Sequence, residues 1–295
     1  MRLAMAIPLA VTAALALPAC GSSRTPTEGP HTTRRVTVPI SKVLVVVEEN
    51  HSRRQMRSGM PYLSRLSERY GYATDWHARR HPSEPNYLAI AGGSTFGVTD
   101  DKPPARNARR VGRAGSVFSQ ALGAGRSAAT YAEAMPRPCA TRDTYPYAVR
   151  HNPWTFFGAD RSACRVHDVS AAGFVRAARG DRLPNVGFLI PDLRHDAHDG
   201  SLGTADRWLH ARLRPVLASQ DFRSGALVVV VTADEDDGHS GNVVLTSVLT
   251  PRLHHVVVGR RLTHYSLTRF IDGVLGVPAL RHAAHAPDLA AAFGL

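Results

Sequence analysis

Three groups of carboxylates each follow directly on an apolar run. Residues 42–47 lead into Glu48, Glu49, Asn50 and His51, residues 186–190 into the stretch from Asp192 to Asp199, and residues 226–231 into Asp234, Glu235, Asp236 and Asp237. Each run has the β-branched, uninterrupted character of a strand buried on both faces. In an open α/β sheet the carboxyl ends of parallel strands share one edge, and ligands bind there. Carboxylates far apart in sequence should therefore meet at one rim. Crowded carboxylates repel and raise one another's pKa unless a cation neutralises them. In a chain of net charge +12 such a concentration of acid needs a reason, and a metal site supplies it. Carboxylates with Asn50 suit a hard ion such as Ca²⁺, Mg²⁺ or Mn²⁺, whereas adding His198 or His264 would favour Zn²⁺, Mn²⁺ or Fe. Asp234 and Glu235 are the strongest candidates. Asp199, Asp236 and Asp237 read individually as solvated loop acids, and Glu48 as a strand-end residue facing solvent.

A possible reaction partner lies in the stretch His81, Pro82, Ser83, Glu84, Pro85, Asn86, Tyr87. Ser83 reads as the N-cap of a short helix that ends at Gly92 and Gly93. A hydroxyl there would face free N–H groups and the positive end of the helix dipole, which favours both a phosphate and the serine alkoxide. The plainer alternative is a serine that only caps. No Gly-x-Ser-x-Gly elbow, Walker loop, dinucleotide fingerprint or His-Glu-x-x-His helix is present.

The elements that must position these residues alternate between strand and helix. Helices are expected over residues 61–70, 117–122, 171–178, 204–217, 266–275 and 287–293, with further strands at 128–131, 243–249 and 256–258. Residues 100–113 read as a polar loop. This alternation predicts an α/β fold, a three-layer α/β/α sandwich with a mainly parallel central sheet. Hydrophobic residues at 43% and charged residues at 20% describe a globular chain of 295 residues. The positive charge is almost all arginine, with lysine only at 42 and 102, a compositional habit that carries little weight for nucleic-acid binding. No nucleic-acid motif is present, and no such partner is expected.

Residues 1–20 read as a signal peptide, an apolar core too short to span a bilayer comfortably. It ends in a lipobox-like Leu17, Pro18, Ala19, Cys20, so Cys20 is the candidate lipidation site and membrane anchor. Plain secretion is the alternative. Residues 21–40 form a flexible tether, and residues 41–295 the catalytic domain. With Cys20 set aside, Cys139 and Cys164 form an even pair in an oxidising compartment, either a disulfide or two buried thiols.

These residues carry a family resemblance. The stretches from Val47 to Ser52, His81 to Tyr87, Pro191 to Asp199 and Asp234 to Asp236 resemble, in order, the bacterial phosphoesterase family of acid phosphatases and phospholipases C, with an alkaline-phosphatase-like fold. The match runs over about residues 42–293 and is to the short members. The resemblance implies that Ser83 is a nucleophile forming a phosphoseryl intermediate. It further implies that Glu49, Asn50, Asp234 and Glu235 bind a divalent metal (Ca, Mg, Mn or Zn), and that Asp192 and His198 hold a second ion or phosphate. His81, Asn86 and His264 would bind phosphoryl oxygens. The implied substrates are phosphate mono- or diesters, phospholipids included. Arg194, His195 and Gly200 depart from the cysteines and asparagine of short relatives, and Arg53, Arg54 and Gln55 from an aromatic–acidic continuation. The alternative function is a non-catalytic surface lipoprotein binding metal or polyanions.

Overall fold

The computed structural model describes residues 38–295. The expected signal peptide, the expected lipidation site Cys20, and all but the last three residues of the expected tether (21–40) lie outside the described residues.

The fold starts with β1 (Lys42–Glu48), buried along almost its whole length, followed by α1 (Arg53–Gly59) and α2 (Pro61–Arg69). Short strands β2 (Gly71–Ala73) and β3 (Trp76–His77) lead to α3 (Glu84–Gly92). Next come α4 (Pro104–Val111), α5 (Val117–Gly123) and β4 (Ala128–Ala132). An irregular stretch with 3-10 turns at Val149–His151 and Pro153–Phe156 follows, then α6 (Arg161–His167) and β5 (Asp168–Ser170). The chain continues through α7 (Phe174–Arg179), β6 (Val186–Ile190), α8 (Leu202–Leu217), α9 (Gln220–Arg223) and β7 (Leu227–Ala233). It closes with β8 (Thr246–Leu249), β9 (Val256–Val258), β10 (Leu262–Thr263), α10 (His264–Leu275) and α11 (Leu289–Phe293).

Eight strands form the main sheet in the order β5-β4-β6-β1-β7-β8-β2-β9, and β8 alone runs antiparallel to its neighbours. The three apolar runs of the sequence are adjacent at its centre. Val43 to Val46 pair in parallel with Val186 to Leu189 on one side, and Lys42 to Glu48 with Leu227 to Ala233 on the other. All three therefore release their acidic followers at the same edge. One helical layer is built from α1, α2, α7 and α8, the other from α3, α5 and α10. This is the expected α/β architecture.

Several local expectations needed correction. Residues 100–113 hold α4, whose inward positions are Pro104, Asn107 and Val111. With asparagine in the middle of its buried stripe and arginines outside, it lacks an apolar period. The helix expected from residue 266 begins at His264, which draws that histidine indoors. The strand proper of residues 243–249 starts at Thr246, while Val243 and Val244 make isolated bridges to His77 and Ser52. Cys139 and Cys164 are disulfide-bonded with Cα atoms 5.4 Å apart, which decides that pair as a disulfide.

Candidate active site

The central strand end supplies the first carboxylate. Glu49 leaves β1 with its N–H bonded to the Asp196 carbonyl at 2.8 Å, and Asp234 leaves β7 with its N–H on the Glu48 carbonyl at 3.0 Å. These cross-links continue the sheet for one residue past the strands and lock Glu49, Asp196 and Asp234 side by side. Asn50 takes a φ of 43°, a left-handed conformation that asparagine tolerates better than most residues. Its N–H donates to Asp234 Oδ1 at 3.3 Å.

Ser83 comes to this cluster from α3. Its Oγ donates to Glu49 Oε2 at 3.1 Å and lies 3.5 Å from Glu235 Oε1. The expected cap is corrected here: Ser83 has helical angles (φ −59°, ψ −52°) and makes no side-chain cap. Asp101 caps instead, its Oδ1 accepting the Glu84 N–H at 2.9 Å. The N–H groups of Asn86 and Tyr87 both go to the Ser83 carbonyl, at 2.9 and 3.4 Å. The free amides expected to hold a phosphate are thus already engaged, and the Ser83 hydroxyl is released toward the carboxylates.

The cluster is buried and acidic. Tyr87 donates its hydroxyl to Glu49 Oε1 at 2.7 Å. His151, also buried, places Nε2 3.2 Å from Glu49 Oε1 and Nδ1 3.3 Å from Asp196 Oδ2, while stacking on Tyr87 with ring centres 5.2 Å apart. Burial, then the charges of Asp234 and Asp196, raises the Glu49 pKa well above the usual carboxylate range. Burial pushes Asp234 up to about 8 and Asp196 up to about 7. Glu235 rises to about 9, through burial and then its neighbour Asp234. Burial, reinforced by Arg150 and His198, depresses His151. Asn50 Oδ1, Asp196 Oδ2 and Asp234 Oδ2 are buried acceptors without a hydrogen-bond donor. Acceptor oxygens crowded together and left without donors are what a hard divalent cation takes as ligands. The residues present fit such an ion.

His81 reaches the same cluster, with Nδ1 3.0 Å from Glu235 Oε2 and Nε2 3.1 Å from Asp236 Oδ1, and stays 43% exposed at the mouth. Asp236 is not a solvated loop acid. Its carboxylate accepts the N–H groups of Gly238, Ser240 and Asn242 at 2.7–2.9 Å and folds that loop around itself. Glu48 does not face solvent either. It is fully buried, neither carboxylate oxygen has a partner, and burial followed by Asp196, Asp206 and Glu133 raises its pKa.

Four residues are placed differently from their expected roles. Asn86 Oδ1 accepts the N–H groups of Arg79 and Arg80, and its Nδ2 donates to the Arg80 carbonyl at 2.7 Å. That amide staples the loop ahead of Ser83 and has little left for phosphate. His264 accepts from Trp76 Nε1 on Nδ1 at 3.2 Å, so its proton sits on Nε2, which meets the Asp234 carbonyl at 2.7 Å. Burial drives its pKa down to about 4. With both nitrogens used, it positions the Asp234 backbone. Asp192 sits apart with Glu133 and His195, whose Nδ1 is 3.0 Å from Glu133 Oε2 and 3.2 Å from Asp192 Oδ1. His198 Nδ1 lies 2.7 Å from Asp199 Oδ1, and its Nε2 is 3.4 Å from Arg150 Nη2. Glu133, Asp192 and His195 bring their ligand atoms together closely enough to hold an ion of their own, while Asp196, four residues further along the same acidic stretch, is the carboxylate that stands beside Glu49 and Asp234. His151 came from a segment with no periodicity and gave no sequence signal.

The profile of the Phosphoesterase family matches residues 53–278, which take in Ser83, Asp196, Asp234 and Glu235, while Glu49 and Asn50 lie just ahead. The chain is 30% identical over 255 residues to the phosphatidylinositol-3-phosphatase of Mycobacterium tuberculosis, covering 85% of this chain and 82% of that one. It is 27% identical over 223 residues to an acid phosphatase of Aspergillus fumigatus, covering 70% and 48%. A phosphate-repressible acid phosphatase of Penicillium chrysogenum is 29% identical over 234 residues, covering 74% and 55%. The chain thus spans about half the length of these fungal relatives. Among solved structures, an alkaline phosphatase superfamily protein from Vibrio parahaemolyticus superposes with a TM-score of 0.56 at 12% identity, over 82% of this chain and 67% of that one. A lipoteichoic acid synthase from Listeria monocytogenes also gives 0.56, at 10% identity, over 84% and 76%. At these identities the likeness is one of fold.

Proposed function

Because the chain belongs to the phosphoesterase family and is a hydrolase of phosphoric esters, we propose that it cleaves phosphate monoesters through a covalent phosphoserine on Ser83. The observation that carries this reading is the Ser83 Oγ–Glu49 Oε2 hydrogen bond of 3.1 Å inside a buried acidic cluster. A serine hydroxyl is a weak nucleophile until a base takes its proton. Glu49 Oε2 stands where that proton can go as Oγ attacks phosphorus. The phosphorus–oxygen bond to the alcohol then breaks, and the alcohol leaves with a proton from the mouth, where His81 Nε2 is placed to give it. Water next attacks phosphorus and gives its proton to His81, the bond to Ser83 Oγ breaks, Oγ takes back the proton held by Glu49, and inorganic phosphate departs.

A divalent ion would be held by Glu49, Asn50, Asp234 and Glu235, with Asp196 Oδ2 as a further oxygen. When bound, it would supply Lewis acidity to the serine oxygen and to the phosphoryl charge. The chain's own part is to keep that place dry and fixed. Tyr87 orients Glu49, the Asn50 N–H orients Asp234, and His264 holds the Asp234 backbone.

The relatives are named as phosphatases, which supports monoesters over diesters, and the mycobacterial one makes a phosphoinositide headgroup a natural member of the test panel. Residues 41–295 would form the catalytic domain. The Cys139–Cys164 disulfide supports export, with residues 1–20 as signal peptide and Cys20 as lipid anchor. The fungal names add acid phosphatase activity to the reading. Membership of a family whose relatives are named as phosphatases supports an enzyme over a non-catalytic lipoprotein.

The test is hydrolysis of p-nitrophenyl phosphate by the wild type, by Ser83→Ala and by EDTA-treated enzyme. The alanine variant should lose at least about 10³-fold in kcat, the scale on which a nucleophile acts. Wild-type rates in Ser83→Ala would remove the serine from the mechanism. Stronger turnover of bis-p-nitrophenyl phosphate than of the monoester would redirect the reading to diesters.

A further inference from the structure

The structure leaves the substrate's negative charge without an obvious partner in the protein. Ser83 faces Glu49 and Glu235, Asp234, Asp196 and Asp236 crowd behind them, and Asp101 holds the amide of the next residue. Asn86 is held by the Arg79–Arg80 backbone with its Nδ2 3.4 Å from Glu235 Oε2, His264 by Trp76 and the Asp234 carbonyl, and the first amides of α3 are engaged. One cation stands at the convergence of the site's contacts. Arg150 Nε lies 3.8 Å from Asp101 Oδ2, and the other oxygen of Asp101 accepts the N–H of Glu84, the neighbour of Ser83. Arg150 Nη2 lies 3.4 Å from His198 Nε2, and the His198 N–H donates to Asp196 Oδ1 at 2.8 Å. The next residue, His151, rests against Glu49, which takes the Ser83 hydroxyl. The two side-chain contacts of Arg150 thus lead to the Glu84 amide beside Ser83 and to Asp196, and its neighbour His151 leads through Glu49 to Ser83 itself.

The Arg150 side chain is 19% exposed, and neither contact engages its guanidinium firmly. At 3.8 Å the Asp101 pair lies beyond hydrogen-bond length, and a 3.4 Å approach to an imidazole is long. Among the described residues no other arginine side chain makes a hydrogen bond or ion pair to Asp101, His198 or the Ser83 cluster. A guanidinium is a planar fork of five donors suited to two oxygens of one phosphate.

Resting on the phosphoesterase reading, we propose that Arg150 binds the phosphoryl group directly, donating to two non-bridging oxygens, and that His198 is a positioning residue that aims it. His198 is fixed for this by Asp199 on its Nδ1 and by Asp196 on its backbone. This assigns His198 to the guanidinium and not to a second ion. Arg150 in turn is set by the 3-10 turn Val149–His151, with the Val149 N–H on Asp143 Oδ1 at 2.8 Å.

The test uses the full chain and two readouts. For p-nitrophenyl phosphate hydrolysis, Arg150→Ala should lower kcat/KM by about 10²–10³-fold, the range for losing one charge-stabilising donor. Arg150→Lys should recover part of it, keeping charge without the fork. His198→Asn should give an intermediate loss. The second readout needs no turnover: inorganic phosphate is titrated calorimetrically into Ser83→Ala and into Ser83→Ala with Arg150→Gln. Phosphate affinity should fall at least tenfold in the double variant, with its melting temperature unchanged. Phosphate affinity within twofold of the parent overturns the proposal, as does a parent that binds no phosphate. If Ser83→Ala keeps hydrolysing esters, the nucleophile assignment fails while the titration still decides Arg150.

Discussion

Replacing Cys139 and Cys164 together with alanine should separate the stability of this fold from its chemistry. The disulfide closes a segment with a sequence separation of 25. By the loop-entropy relation, cross-linking a loop of that size restricts the unfolded chain by about 3.5 kcal/mol. For a body of this size each kcal/mol is worth roughly 2–4 °C in Tm, so the double variant should melt about 7–14 °C lower. The closed segment also carries Arg150 and His151, so the prediction extends to activity. Other contacts hold that segment in place. Trp154 stacks on Phe118 with ring centres 4.3 Å apart, Asn152 Nδ2 donates to both Asp168 oxygens at 3.1 and 2.9 Å, and the Tyr147 hydroxyl donates to the Ala140 carbonyl at 2.8 Å. None of these needs the sulfur bridge. At 25 °C the variant should therefore keep kcat/KM within about threefold of the parent, because the site geometry rests on packing that survives. The assay is differential scanning calorimetry with and without reductant, beside p-nitrophenyl phosphate kinetics. A Tm within about 2 °C of the parent would refute the loop-entropy argument. A folded variant with no activity would refute the claim that packing alone places Arg150 and His151.

Two other perturbations test the electrostatics. Asp272 is buried in α10, its Oδ2 accepting the Leu280 N–H at 2.8 Å and its Oδ1 unpartnered, and burial raises its pKa to about 7. The native state therefore holds a proton that the unfolded chain releases near pH 4, so this group costs stability as pH rises from about 4 to about 7. Asp272→Asn keeps the acceptor and cannot ionise. Urea unfolding should show it more stable than the parent by on the order of 2–4 kcal/mol at pH 8, with the gap closing toward pH 4, and a gap independent of pH would be fatal to the idea. Chelation gives the second test. Without a cation, Glu49, Asp234 and Glu235 are stable mainly when protonated, so EDTA should lower Tm more at pH 8.5 than at pH 5.5. Equal falls at both pH values would count against a metal held by these carboxylates.

Much of the architecture was legible because its central strands are extreme. Runs such as Val43 to Val47 and Val228 to Val231 have no polar face, and only a strand covered on both sides has that pattern. The same extremity exposed the site. A carboxylate that immediately follows a buried strand, as Glu49 and Asp234 do, has no bland explanation once three of them share an edge. What escaped was short or irregular. β2, β3 and β10 are two or three residues long, below the reach of any periodicity. His151 is held by a 3-10 turn and a stack on Tyr87, contacts that leave no repeat in the sequence. Residue type failed in the opposite direction at Asn86 and His264. Both are polar, near Ser83 and suited to phosphate, yet direction decides their roles, and the shortest contact of each is to a backbone carbonyl.

Ser83 shows how capping and catalysis compete for one hydroxyl. A serine that caps has its oxygen held by an amide and its lone pairs committed to the helix. Here the Asn86 amide that such a cap would hold goes to the Ser83 carbonyl, Asp101 from the loop before α4 takes the Glu84 amide, and Ser83 turns its hydrogen toward Glu49. The substitution has an electrostatic consequence. A carboxylate at the helix start adds negative charge where the substrate must bring more, so it needs a counter-ion nearby. Arg150 is that counter-ion, and at 3.8 Å it pairs its charge with Asp101 without a hydrogen bond. An arginine ion-paired to a carboxylate at 3.8 Å, beyond hydrogen-bond length, retains its donors for a closer acceptor. A dianionic phosphoryl group entering beside Ser83 is that acceptor, so the residue that frees the nucleophile also keeps a cation waiting at the mouth of the site.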